Sequence, residues 1–357
     1  MATLAFFDNL KIIDLSTVLA GPSVSTFFSE LGADVIKIEH PEIPDVTRSW
    51  KQPIERAEDT SAYFASVNYG KTYKKLNLSK CVDRSNLLAA IEKSDILIVN
   101  FKPGDQEKFR ITDEELWKIN PRLIIGKISG FGSEDDRVAY DLILQAETGF
   151  MSMNGAPGGD PTKMPVALID ILAAHHLKEG LLLALMERMH SNKGSAIEVS
   201  LYDAALCSLA NQASNYLMTG CVPKRLGSLH PNIAPYGETF ITNDSVQFTL
   251  AVGSNQQFIS LLSILKLDHL VNDSQYSTNQ SRVENRIELA EILTEKLKTF
   301  DSQHLFELMR NKKIPYGEIK TLDKVLADTK AKKLIREDQL TNVKGRRMTS
   351  IAFTWKK

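Results

Sequence analysis

Residues 10–40, LKIIDLSTVLAGPSVSTFFSELGADVIKIEH, decide the fold class of this chain. The apolar run LKIIDLS predicts a buried strand, TVLAGP a turn, and SVSTFFSELGA a helix that ends at a glycine. DVIKIEH predicts a second strand, which Pro41 closes. A strand, a glycine-containing turn, a helix and a strand in this order form a βαβ unit, and such a unit requires a parallel sheet.

The chain after this unit continues the same pattern and then changes. SDILIVN (residues 94–100) and RLIIGKISGF (122–131) predict two more buried strands, so the first third is a doubly wound α/β layer. One long helix is predicted over 166–190, a strand over 195–201, and a helix from Tyr202 to Gly220. The tail 325–339 is predicted to be helical.

Domain boundaries follow from a change in composition near Cys221, after which Pro, Gly and Asn become dense and strand patterns alternate. The sequence predicts a large parallel-sheet, Rossmann-like α/β domain over 1–220, to which 323–357 returns, and a smaller α+β domain over 221–322.

Composition limits the classes of partner. The 357 residues include 43 Lys and Arg and 44 Asp and Glu, a net charge of −1, so no overall field attracts nucleic acid or a membrane surface. Cys81, Cys207 and Cys221 are scattered, and no cluster has metal-ligand spacing, so neither a metal nor a disulfide framework is expected. With no secretory signal and no bilayer-spanning helix in the pattern, a cytoplasmic protein is predicted.

Asp170 is the most informative single residue. It lies in PVALIDILAAHHLKEGLLLALMER, residues 165–188, among apolar side chains, where a charge is costly unless it is paired or neutralised. One interpretation is a helix N-cap; the other is a nucleophile in a dry site. His175 and His176 follow by five and six residues, so neither shares the face of Asp170 on a helix.

Several turns are candidates for ligand contacts. TVLAGP follows a strand and opens a helix, where backbone N–H groups bind anions, although it is neither GxGxxG nor a Walker loop. NYGK (68–71) and NFKPG (100–104) put a lysine and a polar group beside predicted strands, where open α/β sheets bind ligands. For each of these segments an ordinary structural turn or a solvated lysine is the competing interpretation.

Taken together and in order, these segments resemble the family III CoA-transferases, which include the formyl-CoA:oxalate, carnitine and bile-acid CoA-transferases. The resemblance covers nearly the whole chain through KIIDLSTVLAGPSVSTFFSELGADVIKIEHP (11–41), NYGKTYKKLNL (68–78), NFKPG (100–104), AYDLILQAETGFM (139–151), ALIDILAA (167–174), RLGSLHPNIAPY (225–236) and AVGSNQQF (251–258). Each segment is weak evidence alone, and their collinear order carries the resemblance.

The resemblance implies an interlocked homodimer whose substrates are coenzyme A, as an acyl-CoA, and a carboxylic acid, with no permanently bound cofactor. It implies that Asp170 attacks the thioester. The residues that it places on CoA are Val18, Leu19, Ala20, His40, Asn68, Lys71, Asn100, Phe101, Lys102, Lys108, Arg137 and Tyr140. Gly253, Ser254 and Asn255 correspond to a loop that covers the nucleophile.

Two alternatives to a CoA-transferase remain open at this stage. An acyl-CoA racemase of the same fold needs an Asp and a His as a base pair, and the segment that carries this His in racemases contains none here. A non-catalytic CoA-binding protein would gain nothing from a buried Asp170. His40 stands where the family often has Arg, and a histidine there makes a weaker, pH-dependent contact with a phosphate. The acyl donor and the acceptor acid are not predicted.

Overall fold

The structure is a computed structural model that describes residues 6–339 and 344–356. The chain divides into two compact units. The large unit comprises 1–151, 163–222 and 332–357, and the small unit comprises 152–162 and 223–331. The predicted domains, 1–220 with 323–357 and 221–322, stay a prediction. The units differ from them in assigning 152–162 and 323–331 to the small unit and 221–222 to the large unit. Residues 1–5, 340–343 and 357 of the predicted domains lie outside the described part.

A six-stranded parallel sheet forms the centre of the large unit. Its strands are β1 (Lys11–Asp14), β2 (Asp34–Glu39), β3 (Thr72–Lys75), β4 (Ile96–Val99), β5 (Ile124–Ser129) and β6 (Ala196–Ser200). They lie in the order β3-β2-β1-β4-β5-β6, and the predicted parallel α/β sheet is confirmed. The strand order reverses between β1 and β4, the place where doubly wound sheets bind ligands.

Helices lie on both faces of this sheet. The helices of the large unit are α1 (Ala20–Glu30), α2 (Ala62–Ser66), α3 (Cys81–Ile91), α4 (Asp105–Phe109), α5 (Asp113–Ile119), α6 (Asp141–Glu147), α7 (Phe150–Met153), α8 (Leu168–Ser191), α9 (Leu201–Cys207) and α10 (Ala210–Thr219). Successive residues of β1 face opposite sides of the sheet, because Ile12 packs with α1 and α8 whereas Ile13 packs with α3 and α5. The central strands β1 and β4 are therefore buried on both faces, as their apolar runs predict.

The long helix predicted over 166–190 is α8, which begins two residues later. The helix predicted from Tyr202 to Gly220 is in fact two helices, α9 and α10, and the prediction of one continuous helix is wrong. Ala210, the first residue of α10, has φ +47°, so the chain turns sharply between the two. No apolar or polar pattern in the sequence marks this turn.

The small unit is an α+β arrangement. Its antiparallel strands are β7 (Tyr236–Ile241), β8 (Gln247–Ala251) and β9 (Tyr316–Glu318), in the order β7-β8-β9. Its helices are α11 (Asn255–Leu265), α12 (Asn279–Glu284), α13 (Arg286–Leu297), α14 (Ser302–Asn311) and α15 (Leu322–Ala327). A separate apolar cluster that includes Phe248, Leu261 and Leu293 forms its core.

The tail predicted as a helix over 325–339 is only partly helical. The short helix α16 (Thr329–Lys332) follows α15, and β10 (Ile335–Gln339) then pairs in an antiparallel ladder with β11 (Lys344–Met348). The prediction is wrong for Ile335–Gln339. Long-range contacts decide the conformation there: Arg347 of β11 forms a buried ion pair with Glu30 of α1, and the Thr349 hydroxyl donates to the same carboxylate at 2.5 Å.

Within residues 6–339 and 344–356, no helix combines the length and apolar character that crossing a bilayer requires.

Candidate active site

A cleft of about 450 Å³ opens in the large unit at the carboxyl ends of β4 and β5. Six of the side chains that the sequence analysis placed on CoA lie along it: Val18, Asn100, Phe101, Lys102, Arg137 and Tyr140. These residues come from three separate segments of the chain, and the sheet topology brings them together. The cleft lies next to the reversal of strand order, as expected for a ligand site in such a sheet.

The loop between β1 and α1 forms one wall of the cleft. Asn100, just after β4, accepts the N–H of Thr17 and donates to its carbonyl, both at 3.0 Å. Val18 has φ +72°, which is unusual for a β-branched residue and costs about 1–3 kcal/mol. Leu19 caps α1 without a side-chain hydrogen bond, and Ala20 is buried in the first turn. The backbone of this loop, held in place by Asn100, therefore forms part of the surface of the cleft.

Two cations lie at the rim of the cleft. Lys102 is exposed in the turn after β4. Arg137 lies over the ring of Phe131 at 3.6 Å and forms ion pairs with Asp135 and Glu147, and about half of its side chain stays exposed. Lys108 is also exposed, beside the ring of Phe109, but it does not line the cleft. Rim cations of this kind can meet phosphate groups without being buried.

Lys71 and Asn68 are buried beneath the loop between β1 and α1. Neither residue lines the cleft. The ammonium group of Lys71 contacts Asp14 Oδ2 at 3.0 Å, Asn68 Oδ1 at 2.8 Å and two backbone carbonyls, and its side chain has 0% exposure. Burial alone would raise the pKa of Asp14, but Lys71, Lys37 and two serine hydroxyls together hold this pKa below its usual value. The phosphate contact implied for Lys71 and Asn68 is therefore not carried forward.

His40 is half-buried at the end of β2, and its Nδ1 accepts the backbone N–H groups of Glu42 and Ile43 at 3.2 and 3.1 Å. This arrangement fixes the imidazole ring on the turn that follows the strand. His40 does not line the cleft described above, so its contact with a CoA phosphate stays a prediction.

Asp170 is the third residue of α8 and is buried, with 8% of its surface exposed. Among the described residues its carboxylate has no hydrogen-bond partner. Burial, and secondarily the negative charge of Asp141, raise its pKa from 3.8 to about 7. A carboxylate at a helix N-terminus is favoured by the helix dipole, yet here the loss of hydration is the larger effect. A group of this kind is more basic, and less solvated, than a surface aspartate.

Asp141 is held beside the first turn of α8. Its Oδ1 accepts the backbone N–H of Ile169 at 2.7 Å, and its Oδ2 accepts from Gln145 Nε2 at 2.6 Å. Gln145 is fully buried, and its Oε1 in turn accepts the N–H of Met164 at 2.8 Å. Tyr140, one residue before Asp141, lines the cleft, whereas Asp141 and Asp170 are not among the residues that line it.

Tyr63 of α2 is a residue that the sequence analysis missed. Burial and the charges of Asp170 and Asp141 raise the pKa of its hydroxyl to about 12, so this side chain faces the same acidic groups. The ring packs edge-on against Trp50 at 5.1 Å. No pattern in the local sequence distinguishes Tyr63 from an ordinary helix residue, because its proximity to α8 depends on the tertiary fold.

The loop predicted to cover the nucleophile lies in the small unit. Ser254 caps α11 by accepting the N–H of Gln257, and the Gly253 N–H donates to Gln257 Oε1 at 3.0 Å. Asn255 accepts from Arg282 Nη2 at 2.8 Å. The loop is thus fixed by its own unit, and its role over Asp170 stays a prediction.

In the described part of the chain, no three His, Cys, Asp or Glu side chains are grouped closely enough to hold a metal ion. The three cysteines are free and exposed.

Residues 7–356 match the family model described as CoA-transferase family III. The chain belongs to this family. It is 35% identical to the succinate–glutarate CoA-transferase of Agrobacterium fabrum, over 90% of this chain and 81% of that protein. It is 33% identical to the human succinyl-CoA:glutarate CoA-transferase, over 90% and 73%, and 35% identical to the acetyl-CoA:oxalate CoA-transferase of Acetobacter aceti, over 88% and 80%.

Solved structures of the family agree with the fold. A CaiB/BaiF family protein from Brucella suis matches with a TM-score of 0.84 and 35% identity, covering 97% of this chain and 92% of that one. Rv3272 from Mycobacterium tuberculosis matches with a TM-score of 0.84 at 22% identity, over 98% and 94%, which supports the fold alone. The predicted family and the predicted enzyme class, a CoA-transferase, are confirmed. The racemase and the non-catalytic binder are not carried forward.

Proposed function

We propose that the chain moves CoA from an acyl-CoA thioester to a free carboxylic acid through a covalent intermediate on Asp170. The observation that carries this proposal is the burial of Asp170 at the start of α8, with no hydrogen-bond partner among the described residues and a raised pKa. A carboxylate that has lost its hydration is a stronger nucleophile than one in water. Asp141, which accepts the N–H of Ile169 next to Asp170, directly follows Tyr140 of the proposed CoA site.

The proposed reaction proceeds in balanced acyl-transfer steps. The Asp170 carboxylate attacks the thioester carbonyl, the C–S bond breaks, and a mixed anhydride and the CoA thiolate form. The thiolate then attacks the aspartyl carbonyl, releasing the donor acid and leaving an aspartyl-CoA thioester. The acceptor carboxylate attacks the aspartyl carbonyl of this thioester, the C–S bond breaks, and a second mixed anhydride and the CoA thiolate form. The thiolate then attacks the acceptor carbonyl of this anhydride, and cleavage of the C–O bond to Asp170 yields the acceptor CoA thioester and regenerates the Asp170 carboxylate. Covalent catalysis thus divides one difficult transfer into easier ones.

Each tetrahedral intermediate needs hydrogen-bond donors for its oxyanion. The N–H of Ile169 already donates to Asp141, and the N–H of Gly253 already donates to Gln257. The remaining candidate in the large unit is the N–H of Asp170 itself. We assign an oxyanion contact to this group as part of the proposal.

We propose that CoA lies in the cleft along Val18, Asn100, Phe101 and Tyr140. Lys102 and Arg137 at the rim would meet its phosphates, since the chain has no overall positive field to attract an anion. For the acceptor we propose a dicarboxylic acid. The relatives named above act, by their names, on succinate, glutarate or oxalate, and each of these carries two carboxyl groups.

We also carry forward a homodimer and a cytoplasmic location as proposals. In support of the dimer, α10 has no buried residue, and its Leu217 and Met218 are 78% and 86% exposed. An apolar surface of this kind is typical of an interface between subunits. Light scattering coupled to size-exclusion chromatography tests the oligomeric state directly, and a strictly monomeric active enzyme would contradict the dimer.

The test of the covalent step is chemical trapping. The protein is incubated with succinyl-CoA and then treated with hydroxylamine or borohydride, and peptide mass spectrometry locates any adduct. An adduct on Asp170 is expected in the wild type and none in Asp170→Ala, which should also lose about 10³-fold or more in kcat. The exposed Asp268→Ala provides the matched control and should trap normally. Turnover in Asp170→Ala close to the wild-type level would contradict the mechanism.

A further inference from the structure

Side chains from other elements hold the backbone of consecutive loop residues after β1. Lys37 Nζ donates to the Ser16 carbonyl at 2.7 Å. The next residue, Thr17, is held by Asn100 as described above. These contacts leave the loop little freedom where it borders the cleft, and the residue that follows Thr17 in the loop is Val18.

The backbone N–H of Val18 donates to both carboxylate oxygens of Asp45, at 3.3 and 3.2 Å. Asp45 is itself fixed, with 0% of its side chain exposed. Its Oδ1 accepts from the N–H and the hydroxyl of Thr47 at 3.0 and 2.7 Å, and its Oδ2 lies 3.3 Å from Lys37 Nζ. Its own backbone N–H donates to Glu39. The carboxylate is therefore a rigid, charge-paired acceptor aimed at one backbone group of the cleft wall.

Val18 needs such an acceptor because of its conformation. Its φ of +72° lies in the left-handed region, where a β-branched residue is strained and which glycine enters freely. Val18 also lines the cleft, so any relaxation of its backbone changes the shape of that wall. Strained residues persist where the surrounding structure holds them, and here the holding group is identifiable.

We propose that Asp45 is a positioning residue for CoA binding: its buried carboxylate holds Val18 in the left-handed conformation that shapes the cleft wall. The proposal rests on the proposed function, because it takes the cleft as the CoA site. Asp45 is not among the residues that line the cleft, and its contact with that wall is made through the Val18 N–H. If Asp45 served only to pair with Lys37 and to hold the turn at Thr47, its substitution would impair folding. The effect of that substitution would then not depend on which residue occupies position 18.

The test compares Asp45→Asn in two backgrounds, the wild type and Val18→Gly. CoA binding is measured by calorimetric titration, together with KM, kcat and thermal unfolding for succinyl-CoA and glutarate. In the wild type, Asp45→Asn should weaken CoA binding and raise KM about tenfold, equivalent to about 1.4 kcal/mol, with kcat little changed. In the Val18→Gly background, Asp45→Asn should change the CoA affinity and the KM by less than about threefold. The reason is that glycine adopts a positive φ without restraint.

Asp95→Asn is the control. Asp95 lies before β4, accepts the N–H of Lys11 at 2.9 Å and forms an ion pair with Arg188 at 3.0 Å. Its substitution should lower stability without changing CoA affinity in either background. If Asp45→Asn does not fold, Asp45→Glu replaces it, since this variant keeps a buried negative charge beside Lys37 while it moves the carboxylate relative to the Val18 N–H.

Equal losses of CoA affinity from Asp45→Asn in the two backgrounds, or a loss of stability alone, would overturn the inference. Failure of the proposed function looks different, because the wild type itself would then not bind CoA. A wild type that binds CoA, without coupling between residues 18 and 45, would remove only the positioning role.

Discussion

The carboxylate of Asp141 accepts the backbone N–H of Ile169 at 2.7 Å, which fixes it beside the first turn of α8. The helix start that could hold an external anion is thus partly occupied by a side chain of the protein. The next residue, Asp170, therefore meets a negative charge rather than an open helix terminus. Together with burial, this charge makes Asp170 a weaker acid than an ordinary aspartate.

The activity should depend on pH through the ionisation of Asp170. Only the carboxylate form is a nucleophile, and the pKa of Asp170 is about 7, so kcat/KM should fall below pH 7 and level off above it. Asp141→Asn removes the neighbouring charge, so the pKa of Asp170 should decrease and the acidic limb should move to lower pH. The measurement is a pH profile of kcat/KM for both proteins, with the exposed Asp160→Asn as control. An unchanged acidic limb in Asp141→Asn would contradict this account.

The buried charge should also reduce stability. The pKa of Asp170 is about 7 when folded and close to 3.8 when unfolded, so the folded chain holds the proton more tightly and the wild type loses stability as pH rises from 4 to 7. Asp170→Asn carries no charge and should be more stable than the wild type at pH 8 by about 2–4 kcal/mol, with no difference near pH 4. Urea unfolding of both proteins at pH 8 and pH 4 measures the difference in their unfolding free energies. The same difference at both pH values would refute the prediction.

Lys71 and Lys102 should affect different properties. Lys71 is paired with Asp14, and both side chains have 0% exposure, so Lys71→Met leaves a buried charge uncompensated and should cost about 3–5 kcal/mol of stability. Lys102→Met removes an exposed rim cation and should raise KM for succinyl-CoA several-fold with unchanged unfolding. Enzyme kinetics and denaturant unfolding on both variants separate the two roles. If Lys71→Met is as stable as the wild type but has a raised KM, the result would support the phosphate contact that the resemblance implied.

Arg347 should be essential for holding β11 to the rest of the large unit. It pairs with Glu30, and the two side chains have 8% and 2% exposure; burial lowers the pKa of Arg347 to about 10. Arg347→Met should therefore cost about 3–5 kcal/mol and increase proteolysis within β11. Arg347→Met/Glu30→Met, which removes both charges, should recover much of this loss. The exposed Arg346→Met is the matched control, and equal proteolysis in both single variants would argue against the contact.

The parallel sheet could be predicted because its strands are unbroken apolar runs separated by helices and turns. The exception is β3, whose sequence TYKK has no apolar run, because this strand lies at the edge of the sheet and is largely exposed. Likewise, β10 contains charged residues, and its conformation depends on pairing with β11. Local patterns specify elements that bury their own side chains, and they do not specify elements fixed by distant partners.

The candidate site divides in the same way. The turn that contains Asn100 and Lys102 could be placed at a ligand site because it follows a strand of the sheet, whereas the proposed roles of Val18 and Phe101 came from the resemblance to the family. Lys71 looked equivalent by position, but the buried Asp14 draws its ammonium group inward, which spacing alone does not reveal. The positions of Tyr63 and Asp45 near the site depend on contacts between distant elements, which no local pattern in the sequence encodes.

The ion pair between Glu30 and Arg347 has a consequence for biosynthesis, because the Thr349 hydroxyl that shares the same carboxylate is 319 residues from Glu30 in the chain. During translation, α1 leaves the ribosome long before β11 is made, and Glu30 must stay hydrated until then. Loops this long close slowly. The interior of the large unit is therefore completed only after β11 has been made, and chaperones that bind nascent chains have a long interval in which to act.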